Sequence, residues 1–273
     1  MSDTAANDDV QKPMLSTLLH EGVYRIVMQR PDRMNALSTD MMTALSAELA
    51  KAADDAQVRV ILLGAEGKVF CAGHDLKELT TARAETDGGK ATYERIMRQC
   101  SDLMQQIVRL PKPVIAVVTG VATAAGCQLV ASCDLAIATD TATFCTPGVN
   151  IGLFCSTPMV ALSRNVAPKQ AMEMLLTGES IDASTAKEFG LINRIVPADY
   201  LEQVVQKYAA AIASKSAKTV RIGKEAFYRQ LEMPLSEAYD FAAQTMVDNM
   251  MARDAEEGIS AFLQKRKPEW TDS

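Results

Sequence analysis

The stretch Ala124-Ala125-Gly126-Cys127-Gln128-Leu129 follows a short apolar run and has the composition of a tight turn that opens a helix. A second stretch, Val69-Phe70-Cys71-Ala72-Gly73-His74-Asp75-Leu76, has the same form: apolar residues, then small residues, then a helix start. Small residues let a backbone approach a ligand closely, and the first amide groups of a helix have no partner within the helix. Two such starts that converge would form an oxyanion hole. Taken separately, each stretch is a weak signal, and an ordinary strand-to-helix turn is the simpler interpretation of it.

The composition is that of an ordinary globular protein. The chain has 273 residues, of which 48% are hydrophobic and 23% are charged, so it can bury a large core. Its formal net charge of −6 disfavours nucleic acid as a partner, because phosphate binding requires a basic surface. No apolar run reaches the length of a membrane span, so we expect no membrane partner either.

The first residues and the cysteines predict the compartment. Residues 1–13 are polar and acidic, and they resemble neither a secretion signal nor an Arg-rich presequence. We therefore predict a disordered tail on a cytoplasmic protein. The six cysteines form no C-x-x-C pair, which favours buried free thiols. The two histidines, His20 and His74, have no ligand spacing of a known metal site, so no metal is predicted.

The pattern along the chain predicts an α/β fold with mostly parallel strands. Glu21-Gly22 separates two strands of a hairpin, and Ser38 is placed to cap a helix. Apolar runs at 58–63, 114–118 and 135–138 predict buried strands between helices. Residues 120–124 are predicted to turn the chain from the second of these strands into a short helix. Asp75 and Glu78 fit a capping box at a further helix start.

The pattern changes to helices after residue 158. We predict helices at 159–166, 168–176, 183–188, 199–215, 217–231 and 234–253, with one short strand at 193–196. The chain is therefore divided into a core at 14–198, which carries the site, and a C-terminal helical region at 199–273.

Several of these segments together resemble the crotonase superfamily, which is the enoyl-CoA hydratase and isomerase family. They are Arg30-Pro31-Asp32-Arg33-Met34-Asn35-Ala36-Leu37, the 70–76 segment, Pro113-Val114-Ile115-Ala116, the 125–129 segment and Cys133-Asp134. The resemblance runs from about residue 15 to the C-terminus. Within the family, the sequence most resembles the subgroup of enoyl-CoA hydratase domain-containing proteins. The similarity to this subgroup lies in the Ala-Gly-Cys-Gln-Leu segment and in the tail Phe-Leu-Gln-Lys-Arg-Lys-Pro.

The resemblance implies a spiral of ββα units followed by a helical region that forms trimers or dimers of trimers. It implies an acyl-CoA substrate and no separate cofactor, because CoA is part of the substrate. By position, the thioester oxygen would be held by the backbone amides of His74 and Ala125. Many members carry glycine at the second position, so Ala125 is a mild departure.

Three positions that carry catalytic carboxylates in members of the family are changed here. The two glutamates of the hydratases correspond to Gln128 and Gly148, and the aspartate of a dehalogenating member corresponds to Ser156. Glutamine can hydrogen-bond but cannot exchange a proton near neutral pH. Efficient hydration is therefore not expected. Isomerisation, hydrolysis or decarboxylation of a CoA thioester remains open, and so does a non-catalytic role in acyl-CoA binding or as a scaffold.

Four further residues near the site remain as candidates. The His74 ring is either a general base or only a wall of the pocket, since its pKa suits neutral pH. Cys155 and Ser156 could act as nucleophiles, although the sequence shows no partner base. Asn150 could hydrogen-bond the substrate from a loop.

The resemblance also implies where CoA binds. The pantetheine would run along Ala36, Ala72 and Asp75, and Arg33 would meet the phosphates. Phe262, Lys265 and Lys267 resemble a tail that reaches the adenine and its phosphates, from the same or a neighbouring subunit. The alternative for these lysines is a solvated helix end, where cations are favoured.

Overall fold

The computed structural model describes residues 13–273, so the predicted tail at 1–13 lies outside the described residues except for Pro13. The strands are β1 Leu15–His20, β2 Val23–Met28, β3 Val60–Ala65, β4 Val69–Cys71, β5 Val114–Val118, β6 Val121–Thr123, β7 Leu135–Thr139, β8 Thr143–Cys145, β9 Ile181–Asp182 and β10 Arg194–Val196. The helices are α1 Thr39–Asp54, α2 Leu76–Ala82, α3 Lys90–Arg109, α4 Ala125–Ser132, α5 Pro158–Asn165, α6 Pro168–Thr177, α7 Ala183–Glu188, α8 Leu201–Ala213, α9 Ala217–Gln230, α10 Leu235–Met250 and α11 Arg253–Leu263.

The strands form two sheets that the chain visits in turn. The larger sheet has the order β1-β2-β3-β5-β7-β10, and the smaller has the order β4-β6-β8-β9. Three successive pairs of strands each contribute one strand to the larger sheet and one to the smaller, and helices follow each pair. The pairs are β3-β4, β5-β6 and β7-β8. This repetition is the predicted spiral of ββα units. Pairing is parallel except between β1 and β2 and between β8 and β9, so the α/β prediction is confirmed.

Both faces of the central strands of the larger sheet are buried, which explains their continuous apolar runs. Ile61 and Leu63 of β3 point into the main core with α1, α3 and α4. Val60 and Leu62 point to the other face, where Val205 of α8 covers them. The helical region predicted from residue 199 thus begins with a helix that covers the sheet, while α9 packs against α3, and α10 and α11 pack against α9.

The short strands and one helix boundary differ from the sequence prediction. Residues 120–124, predicted as a turn, contain the strand β6, and the helix predicted at 234–253 ends at Met250 before a separate α11. Strands of three residues are too short to carry a periodic pattern. Between residues 13 and 273, no helix has the length and apolar character needed to cross a bilayer.

A buried ion pair fixes α9 to the core. The Lys224 ammonium donates to Asp134 Oδ2 at 2.7 Å and to the carbonyl oxygens of Ile107 and Lys112 at 3.0 Å each. The Tyr228 hydroxyl donates to Asp134 Oδ1 at 3.0 Å. Burial lowers the pKa of Lys224, and the Asp134 carboxylate opposes that effect. All three ammonium hydrogens have acceptors, so the network is satisfied only while both charges are present.

Replacing Lys224 with Met should therefore destabilise the protein strongly. The change leaves the Asp134 carboxylate without its cation, and removal of one member of a buried pair costs about 3–5 kcal/mol. Urea unfolding measures the loss, with exposed Lys187→Met as the matched control. A loss below about 1 kcal/mol, the range of exposed pairs, would contradict the structural role.

Candidate active site

The two helix starts singled out in the sequence lie against each other. Gly73 has a φ of +84° just before α2. A Cβ at Gly73 would lie 2.9 Å from the Ala124 Cβ and 3.1 Å from the Ala125 amide nitrogen. Any side chain at position 73 would therefore push the two turns apart. The structure brings His74 and Ala125, the residues predicted to donate to an oxyanion, to the same place.

The turn before α4 is held in a strained conformation. Ala124 has φ +50° and ψ −120°, a region that costs a residue with a side chain about 1–3 kcal/mol. Its amide donates to the Cys145 carbonyl oxygen of β8 at 2.9 Å, which fixes the turn from the neighbouring strand. Among residues 13–273, no acceptor takes the amide hydrogens of His74 and Ala125. The strained turn therefore leaves the Ala125 amide free at the start of α4.

Both ring nitrogens of the partly buried His74 side chain are shielded from solvent. Neither Nδ1 nor Nε2 has a partner within the described chain. Desolvation lowers the pKa of His74, and the nearby Leu37 carbonyl and Glu78 carboxylate offset only part of that shift. The imidazole is therefore neutral at pH 7, so it supplies no positive charge to the site.

Gln128 occupies a buried position on α4, one turn after Ala125. Its side chain is 4% exposed, and its Oε1 accepts only a weak contact from the Cys100 thiol, with Sγ at 3.9 Å. Burial raises the pKa of Cys100 to about 12, so the thiol remains protonated and can donate. Gln128 is therefore placed as a buried hydrogen-bonding group that cannot take up a proton.

The space beside Gly148 is filled by the loop that follows it. Leu153 donates its amide to the Gly148 carbonyl oxygen at 2.9 Å. A Cβ at Gly148 would lie 2.6 Å from the Leu153 carbonyl oxygen and 2.9 Å from the Cys155 Sγ. The backbone atom cannot move aside cheaply, so no side chain fits at position 148 unless this loop shifts.

The other polar candidates of this loop are poorly placed for nucleophilic chemistry. Cys155 is buried, and burial raises the pKa of its thiol despite the opposing Gly148 amide. The exposed Ser156 hydroxyl donates to the Phe154 carbonyl oxygen at 3.3 Å. Asn150 is exposed, and its side-chain nitrogen lies 3.1 Å from the Cβ position of Gly178 at the end of α6. No base activates either nucleophile among these contacts.

An open cleft lies beside α2. Arg33 and Asp75 both line it, in a volume of about 550 Å³, together with Lys77 and Arg95. The loop that carries Arg33 and Ala36 is hydrogen-bonded to the segment before α2. The Ala72 amide donates to the Met34 carbonyl oxygen at 3.1 Å, and the Leu37 amide donates to the Gly73 carbonyl oxygen at 2.7 Å. The predicted positions at 33, 36, 72 and 75 are thus brought together.

Two residues support the cleft through contacts that the sequence did not predict. Asn35 is fully buried in a left-handed conformation, and its amide group bonds Arg30 N, Glu66 O and Val69 O at 2.8–2.9 Å. Glu78 does not complete the predicted capping box. Its carboxylate accepts instead from the amide and hydroxyl of Thr39 at the start of α1. Asp75 does cap α2, by accepting from the Lys77 amide at 2.8 Å.

The C-terminal candidates are not part of this cleft. Phe262 is 82% exposed near the end of α11, and the exposed Lys265 and Lys267 follow it. None of the three lines the cleft beside α2. Within residues 13–273, no group of three or more Cys, His, Asp or Glu side chains is arranged to hold a metal ion.

Comparison with known proteins gives consistent matches over nearly the whole chain. The family model described as enoyl-CoA hydratase/isomerase matches residues 19–273. The rat enoyl-CoA hydratase domain-containing protein 3, mitochondrial, is 47% identical over 97% of this chain and 87% of its own length. The crystal structure of human enoyl Coenzyme A hydratase domain-containing protein 3 superposes with a TM-score of 0.90 at 47% identity, covering 94% of this chain and all of that one.

A bacterial structure matches equally well. The enoyl-CoA hydratase of Mycobacterium smegmatis has a TM-score of 0.91 and 50% identity, with 95% of this chain and 99% of that chain covered. The similar proteins from rat, mouse, frog and human are all named mitochondrial, which contradicts the prediction of a cytoplasmic location. That prediction was wrong because it rested on the polar composition of residues 1–13, which does not determine a compartment.

The partly buried, neutral His74 predicts a specific pH dependence of stability. Its pKa is lowered by folding, so the unfolded chain binds the proton more tightly, and stability falls as pH drops below about 6.5. His74→Gln should flatten the fall between about pH 6.5 and 5, by at most about 1.4 kcal/mol per pH unit. Urea unfolding across this range measures it, with exposed His20→Gln as control. Identical slopes for wild type and His74→Gln would show that the ring protonates freely in the folded protein.

Proposed function

The chain belongs to the enoyl-CoA hydratase/isomerase family, and from this premise we propose that it binds acyl-CoA thioesters and stabilises negative charge on the thioester oxygen. The observation that carries the proposal is the contact between the two helix starts at Gly73 and Ala124. It brings the unpartnered amides of His74 and Ala125 together. Fixed backbone donors of this kind stabilise an oxyanion without reorganisation during the reaction.

The cleft beside α2 would take the CoA portion. Arg33 and Lys77 supply positive charge along it for phosphate groups, while Asp75 is occupied in capping α2. Ala36 and Ala72 lie where the loop and the second helix start are joined by backbone hydrogen bonds, so an extended pantetheine chain would pass along backbone rather than long side chains. The acyl-CoA is the only small-molecule partner in this proposal, and no cofactor besides its own CoA takes part.

The reaction we propose is not efficient hydration. Addition of water to an enoyl thioester requires groups that deprotonate the water and protonate the α-carbon. Gln128 is buried and cannot exchange a proton, and Gly148 has no room for a carboxylate. Enolate or tetrahedral oxyanion chemistry on a CoA thioester, such as isomerisation, hydrolysis or decarboxylation, remains within the reach of the two amides.

A second candidate function is non-catalytic binding of acyl-CoA. The raised pKa of the Cys155 thiol and the buried Gln128 favour it, because neither group readily exchanges a proton near neutral pH. Turnover of enoyl-, malonyl- and aryl-CoA thioesters distinguishes this candidate from the enzyme.

We propose further that the chain assembles as a trimer or a dimer of trimers. The apolar surface of the C-terminal helices supports an assembly, because monomeric proteins rarely expose large contiguous apolar patches. More than half of each of these side chains is exposed: Leu235, Tyr239, Met246, Val247, Met250, Met251, Phe262 and Leu263. Phe262 and Lys265 could then serve the CoA site of a neighbouring subunit.

Binding that uses the two amides should depend on Gly73. In Gly73→Ala the new Cβ would meet Ala124 and the Ala125 amide, so affinity for acetyl-CoA should fall at least about tenfold, or 1.4 kcal/mol. Affinity for free CoA, which has no thioester carbonyl, should change much less. Calorimetric titration measures both ligands. Gly88→Ala is the matched control, since Gly88 also has a positive φ but has open space around it.

Equal losses for acetyl-CoA and free CoA would show that Gly73 serves only the fold. Absence of acetyl-CoA binding to the wild-type chain at millimolar concentration would contradict the proposed function itself.

Hydration of crotonyl-CoA should be slow. We expect kcat/KM below about 10⁴ M⁻¹s⁻¹, the lower end of the range for enzymes. Loss of the conjugated thioester absorbance measures the rate. The double change Gln128→Glu and Gly148→Glu should not raise it to the level of a hydratase, because the second side chain would meet the Leu153 carbonyl oxygen. A wild-type value above about 10⁴ M⁻¹s⁻¹ would mean that another residue replaces the carboxylates.

A further inference from the structure

A second cleft lies on another part of the molecule. It has a volume of about 240 Å³ and is formed where the chain enters the strands β3 and β5, beside Val58 and Pro113. The amides of His74 and Ala125 instead follow the carboxyl ends of β4 and β6. The clefts share no lining residue. The residues that line the second cleft include the apolar Val58, Ile212 and Val220 as well as charged side chains.

The cleft concentrates positive charge on a chain whose net charge is −6. Five cations line it, against the two carboxylates of Asp54 and Asp272. The five are Arg59, Lys112, Lys215, Lys218 and Arg221. Lys218 and Arg221 stand three residues apart on α9, where like charges repel each other. Within residues 13–273, no carboxylate lies within ion-pair distance of Lys215, Lys218 or Arg221.

The deeper cations of the cleft are already engaged with the protein. Lys112 donates to the carbonyl oxygens of Ala52 and Asp55 at the end of α1. Burial lowers the pKa of Lys112, and the Arg59 charge adds to that effect, although Asp54 and Asp55 oppose it. Lys112 is therefore engaged with the protein, whereas Lys215, Lys218 and Arg221 have no ion-pair partner within residues 13–273.

One wall of the cleft already holds an oxyanion, which is the side chain of Asp272. Its Oδ1 accepts from the Ala217 amide at 2.7 Å and from Arg59 Nη2 at 3.2 Å, and its Oδ2 pairs with Arg59 Nη1. Asp272 reaches this place with a φ of +59°, a left-handed conformation that is uncommon for residues with side chains. The arginine and the first amide of α9 thus form a set of hydrogen-bond donors placed for a carboxylate or phosphate oxygen.

We propose that this cleft is an anion-binding site for a small phosphate compound that carries at least two negative charges. One charge would face Lys218 and Arg221, and the rest would approach the cradle of Arg59 and the Ala217 amide, in competition with Asp272. The apolar lining residues Val58, Ile212 and Val220 could contact the organic part of a nucleoside phosphate. The site is independent of the proposed acyl-CoA function.

Calorimetric titration of the full chain with inorganic diphosphate tests the proposal. We expect one bound ion per chain, an affinity that falls as salt is added, and a loss of at least about tenfold in the double variant Lys218→Glu, Arg221→Glu. These two side chains make no hydrogen bond or ion pair within residues 13–273, so the double variant should fold, which thermal unfolding verifies. Exposed Lys207→Glu on α8 reverses a charge outside the cleft and should bind like the wild type.

Replacing Asp272 with Asn should raise the affinity for diphosphate, whereas the double variant lowers it. Removing the competing carboxylate frees Arg59 and the Ala217 amide, so diphosphate affinity should rise about two- to fivefold, the range of an exposed charge pair. ADP titrated against the same variants distinguishes the source of the phosphate. Tighter binding of ADP than of diphosphate, lost in the double variant, supports a nucleotide site, and equal affinity supports a site for the diphosphate group itself.

Three results would overturn the proposal. The first is no detectable binding of diphosphate to the wild-type chain at millimolar concentration. The second is unchanged affinity in the Lys218→Glu, Arg221→Glu variant. The third is a loss in Arg33→Glu instead, which would place the ion in the cleft beside α2. Acetyl-CoA binding in the double variant should remain as in the wild type, so a failure here is separable from a failure of the acyl-CoA proposal.

Discussion

The close contact between the end of β4 and the start of α4 is the constraint on which the candidate site depends. A Cβ on Gly126 would overlap the Cys71 carbonyl oxygen, and one on Gly73 would meet Ala124. These glycines let two backbone segments touch, which places the free amides side by side. The strained Ala124 turn is held by the Cys145 carbonyl. The site is therefore built from main chain, whose position the sheets determine, and it tolerates changes of the surrounding side chains.

The architecture could be predicted largely from the sequence because the long elements carry strong periodic signals. The apolar run of β3 is buried on both faces, with Ile61 toward the main core and Leu62 toward α8. A continuous apolar run is what such a strand requires. The three-residue strands β4, β6 and β8 were missed because each is held by pairing with strands distant in the chain. Residues 120–124 therefore predicted a turn where β6 forms.

The candidate site could be predicted only in part, since its supports are contacts between distant residues. Asp75 caps α2 as its local spacing predicts, but Glu78 bonds Thr39, which lies 39 residues away. Asn35 likewise bonds the carbonyl oxygens of Glu66 and Val69. The residues of the amide pair came from the resemblance to the family, because each turn taken alone was more simply explained as an ordinary connection between a strand and a helix. The cation-lined cleft at the start of β3 and β5 gave no local signal, because its charges come from separate segments.

Neither position 128 nor position 148 carries a carboxylate, and the packing around the two residues differs. Gln128 differs from glutamate by one atom and keeps a similar volume, so its buried place on α4 does not depend on the charge. Gly148 is different, because the Leu153 carbonyl and the Cys155 thiol occupy the space that a side chain would need. Acid–base function at position 148 therefore requires another path for the loop, whereas the two amides require no change. If the two amides bind a thioester as we propose, that binding does not depend on a carboxylate at position 148, which the packing around Gly148 excludes.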